Sequence, residues 1–367
     1  MLQKERVEAL ARKLKQDGLR ALIMGPSSDV EYLAGLELFD DERFKAVGVT
    51  AEGQIFAIVP QIYEAEFARA LGEDTPRYSW VDQNWFYGAF AAAVKDFGLE
   101  GAPLAMNSGV RAVDAIEIAE RHRVRLVNGW HCLDDLRICK APDELALMRK
   151  AGRLADEVFA DLVRFIKPGM KERDVRREIS RLFDEKGADE EAFSSIVATG
   201  PNAAMPHYNS DDSTIERGHF VVLDFGCRCG GYCSDTSRTV FVGEPTAEDR
   251  RIYEVVQKSQ EAGEAAVRPG VLSQDVDRAA RQIIHDAGYG AHFDNRLGHG
   301  IGIAVHEAPN IMAGNTTPLR PGMTFSIEPG IYIPGKLGIR IENIVAVTET
   351  GCESMNLSPR ELVTIGD

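Results

Sequence analysis

The spacing of apolar and polar residues predicts alternating helices and strands in the first third of the chain. A helical period with one apolar face covers Arg6 to Gln16. Three apolar stretches of strand length follow it, at Leu19–Met24, Ala46–Thr50 and Gln54–Val59. This order of elements predicts a compact α/β domain at the N-terminal end.

The pattern changes near residue 140, where a long helical period begins. Pro142 stands at a first helical turn with acidic residues behind it, and the period continues toward Ile166. A chain of 367 residues is also longer than a single hydrophobic core usually grows. We therefore expect two domains, at residues 1–139 and 140–367.

The second domain contains an internal repeat of helical segments. Residues 167–175 (KPGMKERDV) align with residues 268–276 (RPGVLSQDV), 101 positions later, and a helical pattern continues to Gly187 and Gly288. In both copies the Pro-Gly pair predicts the end of one helix, and the Asp predicts the start of the next. Such a repeat predicts an α+β domain made of two similar halves that are related by a pseudo-twofold axis.

Each half then carries two strand patterns, and each strand carries one acidic residue. The strands are predicted at 218–226 and 232–242 in the first half, and at 322–330 and 338–347 in the second. The acids at corresponding places are Asp224, Asp235, Glu328 and Glu342. Packing of the two halves would bring these four carboxylates together near the axis.

Four carboxylates inside apolar strands require cations, because burial and mutual repulsion would otherwise protonate most of them at neutral pH. Two divalent metal ions would balance four negative charges. His299 lies between glycines in Gly298–Gly302 and supplies an imidazole. Oxygen donors with a single histidine favour Mn²⁺, Co²⁺ or Fe²⁺ over a structural zinc site.

Charge and cysteine usage exclude several classes of partner. The formal net charge of −15 opposes binding to nucleic acid or to an anionic membrane surface. Neither a signal peptide nor a membrane-spanning run is visible, so we expect a cytoplasmic protein with reduced cysteines. Cys227, Cys229 and Cys233 are close in sequence, but their spacing matches no four-ligand metal site. The expected ligand is a small molecule or a peptide.

The residues around the five predicted metal ligands resemble a known family. The contexts are Leu-Asp-Phe-Gly, Ser-Asp-Thr-Ser-Arg-Thr, Gly-His-Gly-Ile-Gly, Ile-Glu-Pro-Gly and Arg-Ile-Glu-Asn. They resemble the methionine aminopeptidase and prolidase superfamily of M24 metallopeptidases, which has the pita-bread fold and includes the Xaa-Pro aminopeptidases and Xaa-Pro dipeptidases (prolidases). The N-terminal third resembles the creatinase-like domain of the same enzymes.

The resemblance implies a function and further site residues. It implies metal-dependent hydrolysis of the peptide bond preceding proline in short peptides, with two divalent ions, manganese first and cobalt, iron or zinc as alternatives, and a homodimer. His207 resembles the histidine that contacts the scissile carbonyl oxygen, and His306 resembles a second histidine that faces the substrate. Glu328 is expected to act as general base besides binding metal. Arg340 is expected to brace a ligand carboxylate, since it alternates onto the strand face of Glu342.

One position departs from the family pattern and leaves other functions open. Many Xaa-Pro peptidases have a histidine four residues before the metal-binding one, and Asn295 stands there in this chain. An amide donates and accepts hydrogen bonds but does not transfer protons at neutral pH. One alternative is another C–N hydrolase on the same metal site, such as an ectoine-hydrolase-like enzyme or an amidohydrolase. A second alternative is a non-catalytic peptide-binding module, which the complete set of ligands disfavours.

Overall fold

The chain folds into two compact units, of which the first ends at Arg137 and the second begins at Ile138. This architecture is seen in a computed structural model that describes residues 2–209 and 212–366. The predicted domain boundary between residues 139 and 140 stays a prediction. None of the helices in the described part of the chain combines the length and apolar character that crossing a bilayer requires.

The first unit is an α/β domain around a mixed six-stranded sheet. Its elements, in chain order, are α1 (Lys4–Gln16), β1 (Ala21–Met24), α2 (Ser28–Ala34), β2 (Ala46–Thr50), β3 (Ile55–Pro60), a 3₁₀ helix (Gln61–Tyr63), α3 (Glu64–Leu71), β4 (Arg77–Trp80), α4 (Tyr87–Asp96), β5 (Pro103–Met106), α5 (Ala112–Arg121), β6 (Arg125–Asn128) and α6 (Asp134–Arg137). The strand order is β4-β3-β2-β1-β5-β6, and β1 pairs antiparallel with β2 and parallel with β5. The predicted α/β class is confirmed, and strand Ala46–Thr50 has the predicted bounds.

The second unit contains four long helices and fourteen described strands. The helices are α7 (Pro142–Phe165), α8 (Glu172–Lys186), α9 (Ala247–Ala266) and α10 (Ser273–Asp286), with short 3₁₀ helices at Gly200–Ala204 and Gly290–His292. The strands are β7 (Glu190–Glu191), β8 (Ile196–Thr199), β9 (Phe220–Phe225), β10 (Cys227–Cys229), β11 (Tyr232–Cys233), β12 (Thr236–Val242), β13 (Gly298–Gly300), β14 (Glu307–Ile311), β15 (Thr324–Ile327), β16 (Gly330–Ile333), β17 (Leu337–Arg340), β18 (Asn343–Val347), β19 (Cys352–Ser354) and β20 (Val363–Ile365).

The internal repeat appears as two similar groups of elements. In the first half α7 packs on α8 beside the antiparallel pair β9–β12, and in the second half α9 packs on α10 beside the antiparallel pair β15–β18. Helices α8 and α10 begin 101 residues apart, at Glu172 and Ser273. Neither Asp of the repeat starts its helix as predicted, and Asp275 lies in the first turn of α10. Asp174 lies in the first turn of α8, where its carboxylate accepts a bond from Lys171 N at 3.1 Å.

The strands that carry the predicted acids are held by apolar residues on both sides. Leu223 and Phe225 of β9 flank Asp224 and are fully buried in the core of the first half. Burial of each such side chain stabilises the fold by about 1.5–3 kcal/mol. Asp224 therefore projects from a strand that packing holds in place.

Two of the predicted strands are interrupted at the acidic residue. The pattern over 232–242 forms β11 and β12, with Asp235 between them, and the pattern over 338–347 forms β17 and β18, with Glu342 between them. At each break the chain changes its partner strand, because β11 pairs with β10 while β12 pairs with β9, and β17 pairs with β16 while β18 pairs with β15. The acids thus lie where one hydrogen-bonded ladder ends and another begins.

Candidate metal centre

The site residues named from the sequence lie around a single cavity of about 340 Å³ in the second unit. The cavity is lined by Phe193, Ser194, Ile196, His207, Asp224, Asp235, Asn295, Arg296, His299, Val305, His306, Glu328, Arg340 and Glu342. The structure therefore brings together all five predicted metal ligands, both predicted histidines and Arg340. Their roles stay predictions at this point.

His299 is presented as a neutral ligand from β13. Its Nδ1 lies 3.1 Å from Gly300 O, so Nδ1–H donates there and Nε2 keeps a free lone pair. Burial lowers the pKa of His299 to about 4. The flanking glycines are needed, because a Cβ on Gly298 would lie 1.9 Å from Ser326 O, and one on Gly300 would lie 2.1 Å from Ala308 O.

Three of the predicted ligands already form a compact donor group. One donor atom from each of Asp235, His299 and Glu342 lies within 4.8 Å of the other two. His299 Nε2 is 3.6 Å from Asp235 Oδ2 and 3.3 Å from Glu328 Oε1. Ser237 orients Glu342 through a bond of 2.8 Å from its Oγ to Oε2. Asp235 and Glu342 come from different halves of the repeat, as the sequence predicts.

Several carboxylate oxygens around the cavity lack a partner among the described residues. Among the described residues, Asp224 Oδ1, Asp235 Oδ1 and Glu342 Oε1 are buried and accept no hydrogen bond. Burial, and then the charges of neighbouring carboxylates, raises the pKa of Asp235 and of Glu342 well above the ordinary range. Burial also raises the pKa of Glu328. Buried acceptors of this kind, beside a neutral imidazole, fit a divalent metal centre.

Arg340 connects Asp224 to the walls of the cavity. Its Nη2 lies 2.5 Å from Asp224 Oδ2, and its Nε donates to Ser237 Oγ at 2.7 Å. Its Nη1 donates to the hydroxyl of Tyr332 at 3.1 Å and to Pro206 O at 3.2 Å. Arg340 thus holds the carboxylate of Asp224 and also the backbone next to His207.

The two additional histidines occupy different parts of the cavity. The ring of His306 lies 4.2 Å from the ring of His299, and the two planes are almost perpendicular. Loss of solvent around the His306 ring, together with the charges of His299 and Arg296, lowers the pKa of His306 to about 4. His207 is exposed on the segment after the 3₁₀ helix Gly200–Ala204. Both rings face the cavity that contains the acids.

Glu172 supports the His207 segment and was missed in the sequence analysis. This carboxylate is fully buried and accepts bonds from Thr199 N at 2.8 Å, Asn202 Nδ2 at 3.1 Å and the Tyr208 hydroxyl at 3.0 Å. In the sequence it is only one of several acids in a first helical turn. The sequence offered one signal, which is a difference between the two copies of the repeat. The first copy has an acidic residue at 172, and the second has Ser273 at the corresponding position.

Asn295 and Arg296 also line the cavity, and the second of them was not singled out from the sequence. Asn295 Nδ2 donates to Arg296 O at 3.2 Å, while its Oδ1 is buried without a partner among the described residues. An arginine three residues before a predicted ligand carries no sequence pattern of its own.

The cysteine cluster takes no part in this site. All six cysteines carry free thiols. Cys227 and Cys233 are buried, with Sγ atoms near the backbone oxygens of Ala151 and Ile303. Within residues 2–209 and 212–366, no cysteine belongs to a group of three metal-capable side chains.

Comparison with protein families gives two matches that together span most of the chain. Residues 146–349 match the model of metallopeptidase family M24, and residues 6–139 match the model of the creatinase/prolidase N-terminal domain.

Individual relatives are similar over nearly their full length. The chain is 39% identical to the probable dipeptidase PepE of Mycobacterium tuberculosis over 363 residues, which are 97% of this chain and 95% of the relative. It is 32% identical to the Xaa-Pro dipeptidase of Pyrococcus horikoshii over 360 residues, 98% of this chain and 99% of the relative. The crystal structure of a recombinant prolidase from Thermococcus sibiricus superposes with a TM-score of 0.95 at 34% identity and covers 100% of both chains.

Proposed function

The chain belongs to metallopeptidase family M24, and from this premise we propose that it hydrolyses the peptide bond preceding proline in short peptides. The observation that carries the proposal is the convergence of four carboxylates, one neutral imidazole and two further histidines on one cavity. Relatives named Xaa-Pro dipeptidase or prolidase, similar over almost their whole length, support the substrate class.

We further propose that the cavity holds two divalent ions, through Asp224, Asp235, His299, Glu328 and Glu342. The unpartnered buried oxygens support this assignment, since a metal would satisfy acceptors that the described protein leaves unbonded. When bound, the two ions would supply Lewis acidity and lower the pKa of a water molecule. Two divalent ions carry four positive charges, which balance the four carboxylates. Manganese, a homodimer and a cytoplasmic location stay predictions of the sequence.

The protein's own residues would then position the substrate and move protons. Glu328 would act as the general base, and Ser326 Oγ donates a hydrogen bond to its Oε1 at 2.9 Å. His207 would donate a hydrogen bond to the oxygen of the scissile carbonyl. His306, whose pKa is lowered to about 4, would act at neutral pH as an uncharged hydrogen-bonding group.

Stripping and restoring the metal tests the proposal. Metal-free protein should be inactive, and Mn²⁺ should restore hydrolysis of Ala-Pro, with two ions bound per chain by elemental analysis. Ala-Ala should be cleaved with a kcat/KM at least about 10²-fold lower, if a pocket shaped for the proline ring supplies the discrimination. Glu342→Gln should lose metal and activity, whereas Glu353→Gln, a matched change at a partly exposed ion pair, should retain both.

Adding a cyclic amidine to these substrates decides between this function and another C–N hydrolase. A metal-loaded protein that cleaves no Xaa-Pro peptide but opens a cyclic amidine would be an amidohydrolase on the same centre. A protein that binds peptides without turnover at any metal concentration would be a binding module.

A further inference from the structure

A buried ion pair lies next to the loop that carries His306. Lys140 Nζ donates to Glu307 Oε1 at 2.5 Å, and the two side chains are only 2% and 7% exposed. Neither residue is among the described residues that line the cavity. A buried ion pair adds little net stability over apolar side chains of similar volume, because both charges lose their water. The position of this pair, directly after a cavity histidine, points to a role besides stability.

The two members of the pair belong to different parts of the second unit. Lys140 is the third residue of that unit, and its backbone N donates to Gly322 O at 2.8 Å. Glu307 follows His306 directly, is the first residue of β14 and pairs with Gly300 of β13. The ion pair thus connects the segment that begins the unit with the strand that follows the His306 loop, which we define as residues 301–306.

The pair also packs against the start of the His306 loop. A Cβ added to Gly302 would lie 2.7 Å from Glu307 Oε1 and 2.8 Å from Lys140 Cε, so no side chain fits between the loop and the pair. The backbone of Gly302 is bonded as well, since its N donates to Ala304 O at 3.0 Å and its O accepts from Cys233 N at 2.8 Å. The loop is neither helix nor strand. Its path therefore depends on such contacts at its two ends.

The path of the loop decides where the His306 ring lies. Val305 and His306 both line the cavity, and the ring of His306 lies 4.2 Å from the ring of His299. A shift of about 1 Å in a reacting group can lower a rate by about 10²-fold. An ion pair that contacts the loop at Gly302 and continues from it at Glu307 would limit such a shift.

We propose that the Lys140–Glu307 ion pair positions His306 for the proposed reaction by fixing the loop that carries this histidine. The inference rests on the proposed function and adds two positioning residues, neither of which touches the substrate. If the pair acts through His306, it should affect turnover only while that imidazole is present. A pair that only stabilised the fold would show no such dependence.

The test is a double-mutant cycle on the metal-loaded protein, with Ala-Pro as the substrate. Lys140→Met keeps the length of the side chain and removes its charge, and it should lower kcat by about tenfold. Its metal content should equal that of the wild type, because no proposed ligand is changed. In the His306→Ala background, Lys140→Met should change kcat by less than about twofold, since the group that the pair positions is gone.

Two further variants separate positioning from stability. Lys140→Met removes the cation that the buried Glu307 carboxylate faces, so urea unfolding should show a less stable protein. Addition of Glu307→Gln removes the remaining charge and should restore part of the stability, whereas kcat should stay low, because the ion pair is still absent. The matched control is Lys45→Met, since Lys45 forms a buried pair of equal length, 2.5 Å, with Asp41 in the first unit. It should lower stability and leave kcat within about twofold of the wild type.

The possible outcomes can be told apart. A kcat of Lys140→Met within about twofold of the wild type, or an equal loss with and without the His306 imidazole, would overturn the inference and leave the proposed function standing. The same holds if kcat recovers together with stability in Lys140→Met/Glu307→Gln, or if Lys140→Met loses metal in parallel with kcat. Should Lys140→Met not fold, Lys140→Met/Glu307→Gln takes its place in the cycle. A wild type that cleaves no Xaa-Pro dipeptide would overturn the proposed function and the inference together.

Discussion

Replacing Arg340 by Met removes a buried charge from beside Asp224, while most of the apolar stem is kept. Nη2 of the guanidinium lies 2.5 Å from Asp224 Oδ2, and the two side chains are only 4% and 13% exposed. Removal of one partner from a buried ion pair costs about 3–5 kcal/mol, because the remaining charge stays out of water. The free energy of unfolding of a typical domain is only about 5–15 kcal/mol. We therefore expect the metal-free variant to lose a large part of its stability.

A second ion pair of similar length provides the control. Arg149 Nε lies 2.7 Å from Glu353 Oε1, but these side chains are 38% and 40% exposed. Exposed pairs contribute about 0.2–1 kcal/mol, so Arg149→Met should change the free energy of unfolding by less than about 1 kcal/mol. The two distances are close, but the pairs differ in burial and in the further hydrogen bonds that Arg340 makes to Ser237, Tyr332 and Pro206 O.

The assay is urea unfolding of both variants and the wild type, first without metal and then with a saturating divalent ion. Bound cations would offset the charge of Asp224, so the loss in Arg340→Met should be smaller when metal is present. A metal-free Arg340→Met that unfolds within about 1 kcal/mol of the wild type, or an Arg149→Met that loses as much, would refute this reasoning.

Three further outcomes are expected. In thermal unfolding, Mn²⁺ should raise Tm more at pH 8 than at pH 6. Because the pKa values of Asp235 and Glu342 are raised in the fold, the metal-free protein keeps its full stability below the ordinary carboxyl pKa and loses stability as pH rises through the raised values. Bound metal would remove that loss, and equal shifts of Tm at the two pH values would contradict this. Tyr208→Phe should lower kcat by about five- to tenfold with unchanged metal content and KM, since one bond to Glu172 that holds the neighbouring segment is lost; a matching rise in KM would point to general loosening. His207→Ala should lower kcat by about 10²-fold or more, and loss of metal in that variant would make His207 a ligand.

The regular elements could be predicted where one apolar face dominates a segment. The helix predicted from Pro142 toward Ile166 is observed as Pro142–Phe165, and the strand at Ala46–Thr50 has the predicted ends. In the helix the spacing of buried residues matches the helical period, whereas every residue of the strand is buried and a short continuous apolar run predicted it. The internal repeat also predicted that the second unit consists of two similar halves, because segments with similar sequences bury similar faces.

The candidate ligands could also be predicted, because acids in apolar strands are costly and few functions justify them. Asp224 between buried Leu223 and Phe225 is such a case. The contact between Arg296 and Asn310 could not be predicted, since it depends on the antiparallel pairing of β13 with β14 and neither residue type is unusual on a surface. Their relation depends on tertiary geometry alone.

The strand breaks at Asp235 and Glu342 could not be predicted from the alternation of apolar and polar residues. Alternation reports which face a side chain occupies, but it does not report which neighbour accepts the backbone hydrogen bonds. At both breaks the chain leaves one partner strand and joins another, and Glu342 N bonds to Ser237 O at 3.0 Å across the two halves of the repeat. That bond links the donor group to both halves, because it connects Glu342 of one half to β12 of the other. Each half therefore contributes a carboxylate at the point where its own ladder is interrupted, and the donor group exists only when both halves are folded.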